Sequence, residues 1–242
     1  MASSAAGLSG NPSHPALAAA HGDGDTTQAV VESVAASFHA AQPNDAPYRH
    51  WLLENVLPAE TWAEVSDLPF PAPDPGDISG SREVHNETRV YFDNDNIAAY
   101  PVCARIADAL HDPATVALVE RVTGADLSGC YLRVEYAQDI GHFWLRPHTD
   151  LGVKRFTMLL YLADHEGQES LGTDIYADAD TWAARPVFKA NTALVFKPSN
   201  NTWHGFEPRP IPSVRKSIII NYVTDEWRAR EQLAYPDRIV RI

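Results

Sequence analysis

His148-Thr149-Asp150, a distant His204, and Arg215-Lys216-Ser217 shortly after it are the residues whose types and spacing could do chemistry. Two imidazoles and one carboxylate on one side of an octahedral ion leave its other positions open, the donor set suited to non-haem Fe(II) and O2. In a strand, residues i and i+2 point to the same side, so His148 and Asp150 can reach one ion while Thr149 points away. The third ligand has to arrive from elsewhere. His204 follows the turn Ser199-Asn200-Asn201 and Trp203, which predicts a loop-edge position beside the first pair. A His-x-Asp triplet is weak by itself, because 10 histidines and 32 acidic residues supply it readily by chance. The arginine strengthens it. Guanidinium grips a carboxylate with two parallel bonds, and Arg215, at the entrance of the apolar strand Ser217 to Val223, shares a face with Ser217. A cation inside an apolar barrel is costly unless an anion arrives to pair with it.

The elements that hold these residues change character halfway along the chain. Residues 1–24 are small and polar and read as a disordered tail. From Asp25 to Ala41 the apolar positions Val30, Val31, Val34 and Phe38 recur at helical spacing. Tyr48 to Leu57 reads as a strand or packed connector, and Ala59 to Asp67 as a short helix ended by the prolines from Pro69 to Pro75. After a strand at Thr88 to Phe92, helices are expected from Ile97 to Leu110 and from Pro113 to Val122, the latter with Pro113 at its start and Gly124 at its stop. Beyond Ser128 the runs Cys130–Tyr136, Phe156–Leu162, Thr192–Phe196 and Ser217–Val223 are short, aromatic and β-branched, separated by turns, the pattern of an antiparallel sandwich or barrel. The expected class is α+β. Residues 25–242 form one domain, with 25–127 as mainly helical support, 128–225 as the β core and 226–242 as a C-terminal extension.

Composition narrows the partners. With 19 basic against 32 acidic residues the formal charge is −13, which repels a phosphate backbone and argues against nucleic acid. Cys103 and Cys130 are too few for a disulfide framework and read as buried, inert thiols. There is no run of the roughly 18–20 apolar residues needed to span a bilayer, and the first residues lack a secretory pattern. A cytoplasmic protein without a membrane partner is the expectation.

His148-x-Asp150, His204 and Arg215-x-Ser217 together resemble the H-x-D…H…R-x-S signature of the Fe(II)/2-oxoglutarate-dependent dioxygenases, in the compact, prolyl-hydroxylase-like branch. Arg155 to Leu162 resembles the family's strand after H-x-D. Asn191 to Phe196 resembles its strand before the distal histidine, with Asn191 in place of the usual glycine. The likeness covers roughly Cys130 to Val223. It implies a double-stranded β-helix (jelly-roll) core with Fe(II) on His148, Asp150 and His204. It also implies 2-oxoglutarate chelating the metal, its far carboxylate held by Arg215 and Ser217 with Tyr161 as a third contact. O2 would be the oxidant and ascorbate a reductant. A carboxylate at Asp150 argues for hydroxylation, since related halogenases carry a small residue there. The implied reaction is hydroxylation of an unactivated C–H in a small, amino-acid-like or biosynthetic substrate, with succinate and CO2 released. Arg146 and Arg89 are the candidates for a substrate anion, against surface salt bridging as the plainer reading. Tyr136 reads as core and His142 and His165 as loop histidines, while Trp144, Trp203 and Phe206 could equally wall a pocket or pack and are assigned no role. The rival readings are a non-catalytic metal and 2-oxoglutarate sensor, a protein (prolyl-type) hydroxylase, and a zinc hydrolase that would leave Arg215 and Ser217 without a task.

Overall fold

The computed structural model describes residues 23–72, 89–141, 143–150 and 152–242. The expected tail falls outside the described residues except for its last two positions, and so do Pro73, Pro75, Thr88 and His142. Helix α1 (Asp23–Ala40) buries Val30, Val31, Val34 and Phe38, the stripe read from the sequence. The short α2 (Ala59–Ser66) follows. Helix α5 (Pro113–Thr123) starts behind Asp112, whose side chain accepts the Ala114 N–H at 2.8 Å, and stops at Gly124. That glycine lies at φ +69° and returns its N–H to the Glu120 carbonyl at 2.8 Å, a left-handed cap that a side chain would strain.

The helix expected from Ile97 to Leu110 is instead two, α3 (Asn94–Ala99) and α4 (Pro101–His111). Pro101 is the cause. Its ring drives the preceding Tyr100 out of helical geometry, to φ −126° and ψ 106°, and it has no N–H to continue the ladder. α4 buries Val102, Ile106 and Leu110 and packs against α1.

Eleven strands make two antiparallel sheets among the described residues. The larger contains β1 (Pro43–Asn44), β2 (His50–Glu54), β3 (Val90–Tyr91), β4 (Tyr131–Gly141), β6 (Lys154–Tyr161), β9 (Thr192–Phe196) and β11 (Ile211–Val223), in the order β1-β2-β9-β6-β11-β4-β3. The smaller contains β5 (Leu145–His148), β7 (Asp174–Tyr176), β8 (Trp182–Ala184) and β10 (His204–Phe206), in the order β5-β10-β7-β8. β9 has the bounds read from the sequence. β11 begins six residues earlier than expected, so Arg215 stands inside the strand and not at its entrance.

Side-chain parity organises the interior. On β11, Ile218, Ile220 and Tyr222 face the helices, whereas Ser217 and Ile219 face the smaller sheet. On β4, Leu132, Val134 and Tyr136 face the helices, whereas Glu135 and Asp139 point between the sheets. Strands buried on both faces read as near-continuous apolar runs, which is how the sequence exposed them. The result is a helical layer, a large sheet and a small sheet, with one core behind the large sheet and a second enclosed between the two. Tyr136 belongs to the first, its hydroxyl donating to the Ser66 carbonyl at 3.4 Å, as its reading as core predicted. Asn191 holds φ +57° where glycine is usual, a conformation asparagine tolerates, and its amide bonds both the N–H and the carbonyl of Leu57. Among the described residues no helix is long and apolar enough to cross a membrane.

Candidate metal centre

His148 ends β5 and His204 begins β10, and the two are direct partners across the antiparallel pair. Directly opposed residues project from the same face, so the imidazoles meet, with ring centroids 4.4 Å apart. Asp150 lies two residues past the end of β5 rather than within a strand, and His204 is the first residue of β10, at the loop edge expected of it. One ligand atom from each of His148, Asp150 and His204 falls within 4.8 Å of the others.

Two backbone features produce this meeting. Between the pairs His204–His148 and Phe206–Leu145, β10 advances two residues while β5 advances three. That bulge brings Leu145 and His148 to the same side despite their odd spacing. Gly205 permits the close approach: a Cβ there would lie 2.7 Å from the Leu145 carbonyl oxygen.

The ligands are also oriented. His148 Nδ1 donates to the Arg146 carbonyl at 3.1 Å, and His204 Nδ1 donates to the Thr202 carbonyl at 2.9 Å. A carbonyl only accepts, so both rings carry their proton on Nδ1 and keep the Nε2 lone pair for a metal. The buried Asp150 carboxylate takes Lys154 Nζ on one oxygen at 2.5 Å and the Thr157 hydroxyl on the other at 2.7 Å. Two imidazole nitrogens and a carboxylate, each fixed by hydrogen bonds within the protein, fit a divalent transition metal.

A cavity of about 60 Å³ runs from His204 to Arg215 and Ser217, walled by Phe143, Leu159 and Phe206. Arg215 is buried, with its guanidinium over the rings of Phe188 and Phe206. It already has partners: Nε donates to the Leu171 carbonyl at 2.7 Å, Nη1 to Asp139 at 2.5 Å, and Nη2 to the Thr173 hydroxyl at 3.5 Å. Tyr161 belongs to the core between the two sheets but not to the lining of the cavity, and its hydroxyl accepts the Thr173 N–H at 3.2 Å. Burial pushes its pKa up, with Thr173 and the Arg215 charge opposing the shift.

Arg89 departs from the plain reading of a surface ion pair. Its side chain is buried in the same cavity, 3.3 Å from Glu135 and 3.1 Å from Asp139. Arg146 is exposed, and its carbonyl rather than its side chain serves His148. Of the three aromatics that could wall a pocket or pack, Phe206 walls the cavity, while Trp144 and Trp203 are half-buried outside its lining. His165 is exposed beside Asp164.

Several polar residues absent from the sequence reading join the metal face to the arginines. Asp150 is bonded by Thr157, Thr157 by Asn221 Nδ2 at 3.0 Å, and Asn221 Oδ1 by Arg133 at 3.1 Å. Arg133 pairs with Glu135 at 2.5 Å, and Glu135 and Asp139 are bridged by Arg89, after which Asp139 meets Arg215. The chain is continuous and buried. A signal for it existed: Arg133, Glu135 and Asp139 share one parity on β4, as do Arg215, Ser217 and Asn221 on β11, although Gln138 and Lys216 put polar groups on the other face as well.

No family model matches the chain, and no curated protein sequence does. Solved structures do match. A Trichoplax adhaerens prolyl hydroxylase, in complex with a peptide fragment of the hypoxia inducible factor oxygen degradation domain, is 12% identical with TM-score 0.56 over 85% of this chain and 94% of its own. A Phytophthora capsici prolyl 4-hydroxylase is 12% identical with TM-score 0.53 over 88% and 69%. A Pseudomonas putida prolyl-4-hydroxylase is 14% identical with TM-score 0.52 over 80% and 98%. At these identities the likeness is one of fold, the double-stranded β-helix.

Proposed function

We propose that this protein is an Fe(II)- and 2-oxoglutarate-dependent oxygenase that hydroxylates an unactivated C–H bond of a small, amino-acid-like or biosynthetic substrate and releases succinate and CO2. The observation that carries the reading is one cavity lined by His204 at one part and by Arg215 and Ser217 at another. A 2-oxo acid with a second, distal carboxylate is the ligand whose two ends call for those two features together. His148 and His204 hold the metal through Nε2 and Asp150 through a carboxylate oxygen. Bound there, Fe(II) supplies O2 activation coupled to oxidative decarboxylation of the 2-oxo acid, with ascorbate as a reductant.

The work of this chain is positioning. The carbonyls of Arg146 and Thr202 keep both rings aimed, and Lys154 and Thr157 fix the carboxylate. Arg215 and Ser217 take the far carboxylate, with Tyr161 behind them in the same core as the third contact the resemblance implies, while Phe143, Leu159 and Phe206 keep water from the reacting centre. Asp150 supplies a carboxylate where related halogenases carry a small residue, which favours hydroxylation. Residues 25–242 act as one domain in this reading.

The test is 2-oxoglutarate turnover with Fe(II), ascorbate and O2 against a panel of small metabolites, with a proline-containing peptide as a separate arm. Succinate release stimulated by a small acid or amino acid is expected. It is abolished in Asp150→Ala and His204→Ala, and Arg215→Ala chiefly raises the 2-oxoglutarate requirement. Undiminished turnover in either ligand variant defeats the assignment, and stimulation by the peptide alone replaces the substrate class.

A further inference from the structure

Asp139 lies between two arginines. Its Oδ2 meets Arg215 Nη1 at 2.5 Å and its Oδ1 meets Arg89 Nη2 at 3.1 Å, and the three side chains are 3%, 7% and 9% exposed. Among the described residues of this network, three guanidiniums (Arg89, Arg133 and Arg215) meet two carboxylates (Glu135 and Asp139), which leaves one positive charge in excess. A buried uncompensated charge is costly, and arginine cannot escape by losing its proton. Burial works against the Arg89 charge, yet Asp139 and Glu135 outweigh it and raise its pKa. Donors remain as well. Arg89 Nη1 is buried without a hydrogen-bond partner among the described residues, and Arg215 Nη2 reaches only the Thr173 hydroxyl at 3.5 Å. A buried donor left unmade demands an explanation, and both groups line the cavity that contains His204.

We infer that Arg89 is the second guanidinium of the cosubstrate clamp, so that the far carboxylate of 2-oxoglutarate is held between Arg89 and Arg215 with Asp139 bridging them. The inference rests on the oxygenase reading and deepens it. One incoming carboxylate completes a neutral set of three cations and three anions, and supplies the missing acceptor for Arg89 Nη1. Arg89 comes from the segment just before β3, outside the β11 strand that carries Arg215 and Ser217, so the motif in β11 by itself understates the clamp. Asp139 competes with the incoming carboxylate for both guanidiniums and lowers the net charge that draws the cosubstrate in.

The probe is binding to Mn(II)-loaded protein without O2, by calorimetry, of 2-oxoglutarate and of 2-oxopentanoate, which has a methyl group in place of the far carboxylate. Wild type prefers 2-oxoglutarate. Arg89→Gln weakens 2-oxoglutarate roughly ten-fold or more, the worth of a charge-assisted hydrogen bond, and leaves 2-oxopentanoate and Mn(II) affinity unchanged. Arg89→Lys, which keeps the charge and loses the fork, falls between. Asp139→Asn tightens 2-oxoglutarate. Equal 2-oxoglutarate affinity in Arg89→Gln and wild type overturns the inference, as does equal weakening of both acids. Should Arg89→Gln not fold, Asp139→Asn decides, with unchanged or weaker binding overturning it. Wild type that binds Mn(II) but neither acid removes the oxygenase reading itself, a result distinct from failure at Arg89.

Discussion

Gly205→Ala tests whether the close contact of β10 with β5 is what assembles the metal ligands. The added Cβ would sit 2.7 Å from the Leu145 carbonyl oxygen, where ordinary contact begins at 3.4 Å, a shortfall of 0.7 Å. It would also lie 3.1 Å from Pro147 N and 3.2 Å from Arg146 C, so every near atom is backbone and none can rotate away. The strands have to separate, and they do so beside the directly paired His204 and His148. Metal sites tolerate displacements of only about 0.2 Å in ligand distance, so most of that shift exceeds what the centre can absorb. Overpacking of this kind costs about 1–3 kcal/mol of stability. Disturbing the groups that orient metal ligands typically lowers affinity by about 10- to 100-fold. The assay is calorimetric titration of Mn(II) into wild type, Gly205→Ala and Gly152→Ala, with thermal melts in parallel. Gly152 stands two residues from Asp150 and a Cβ there meets nothing within 4 Å, so that variant controls for the substitution itself. Wild-type Mn(II) affinity in a folded Gly205→Ala protein would refute the reasoning.

Thr157→Val keeps the shape but removes a hydroxyl that donates to Asp150 and accepts from Asn221. Two buried polar groups lose a partner at about 1–3 kcal/mol each, and at roughly 2–4 °C per kcal/mol the melting temperature falls by several degrees, with weaker Mn(II) binding. An unchanged melting curve would contradict the buried polar chain. Burial, and secondarily the nearby Arg238 charge against a backbone bond to Arg238, lowers the His111 pKa below 6.5. The unfolded chain therefore binds a proton more readily, so this contribution is complete above the unfolded value and lost as pH falls below 6.5. Denaturant titrations across that window are expected to show a shallower loss in His111→Gln. Burial raises the Cys130 thiol to about 11 and the Cys103 thiol to about 12, so neither forms thiolate at neutral pH. Alkylation of native protein is expected to leave both unmodified, and rapid labelling would show the packing around them to be open.

Much of the architecture was legible because it is local. The stripe of α1, the Pro113 and Gly124 ends of α5, and the apolar runs that became β4, β6, β9 and β11 each announce themselves within a dozen residues, through periodicity or end signals. The break at Tyr100 was legible too, in Pro101, but helical spacing on either side masked it. His148, Asp150, His204, Arg215 and Ser217 stood out by type and order, and the folded chain brings them to one cavity and its edge.

What no local pattern carries is the smaller sheet and the arginine pair. β7, β8 and β10 are three residues each, too short for a period, and exist because a neighbouring strand supplies their hydrogen bonds. His204 is a strand residue only in the company of His148 and Ile175. The same holds for charge: Arg89, Asp139 and Arg215 are scattered along the chain, and nothing in their own segments says that one carboxylate will separate two guanidiniums. Residue type and short-range spacing settle which chemistry a chain can attempt. Which groups become partners follows from burial between two sheets, where low polarity forces every charge to find a counterpart across the fold.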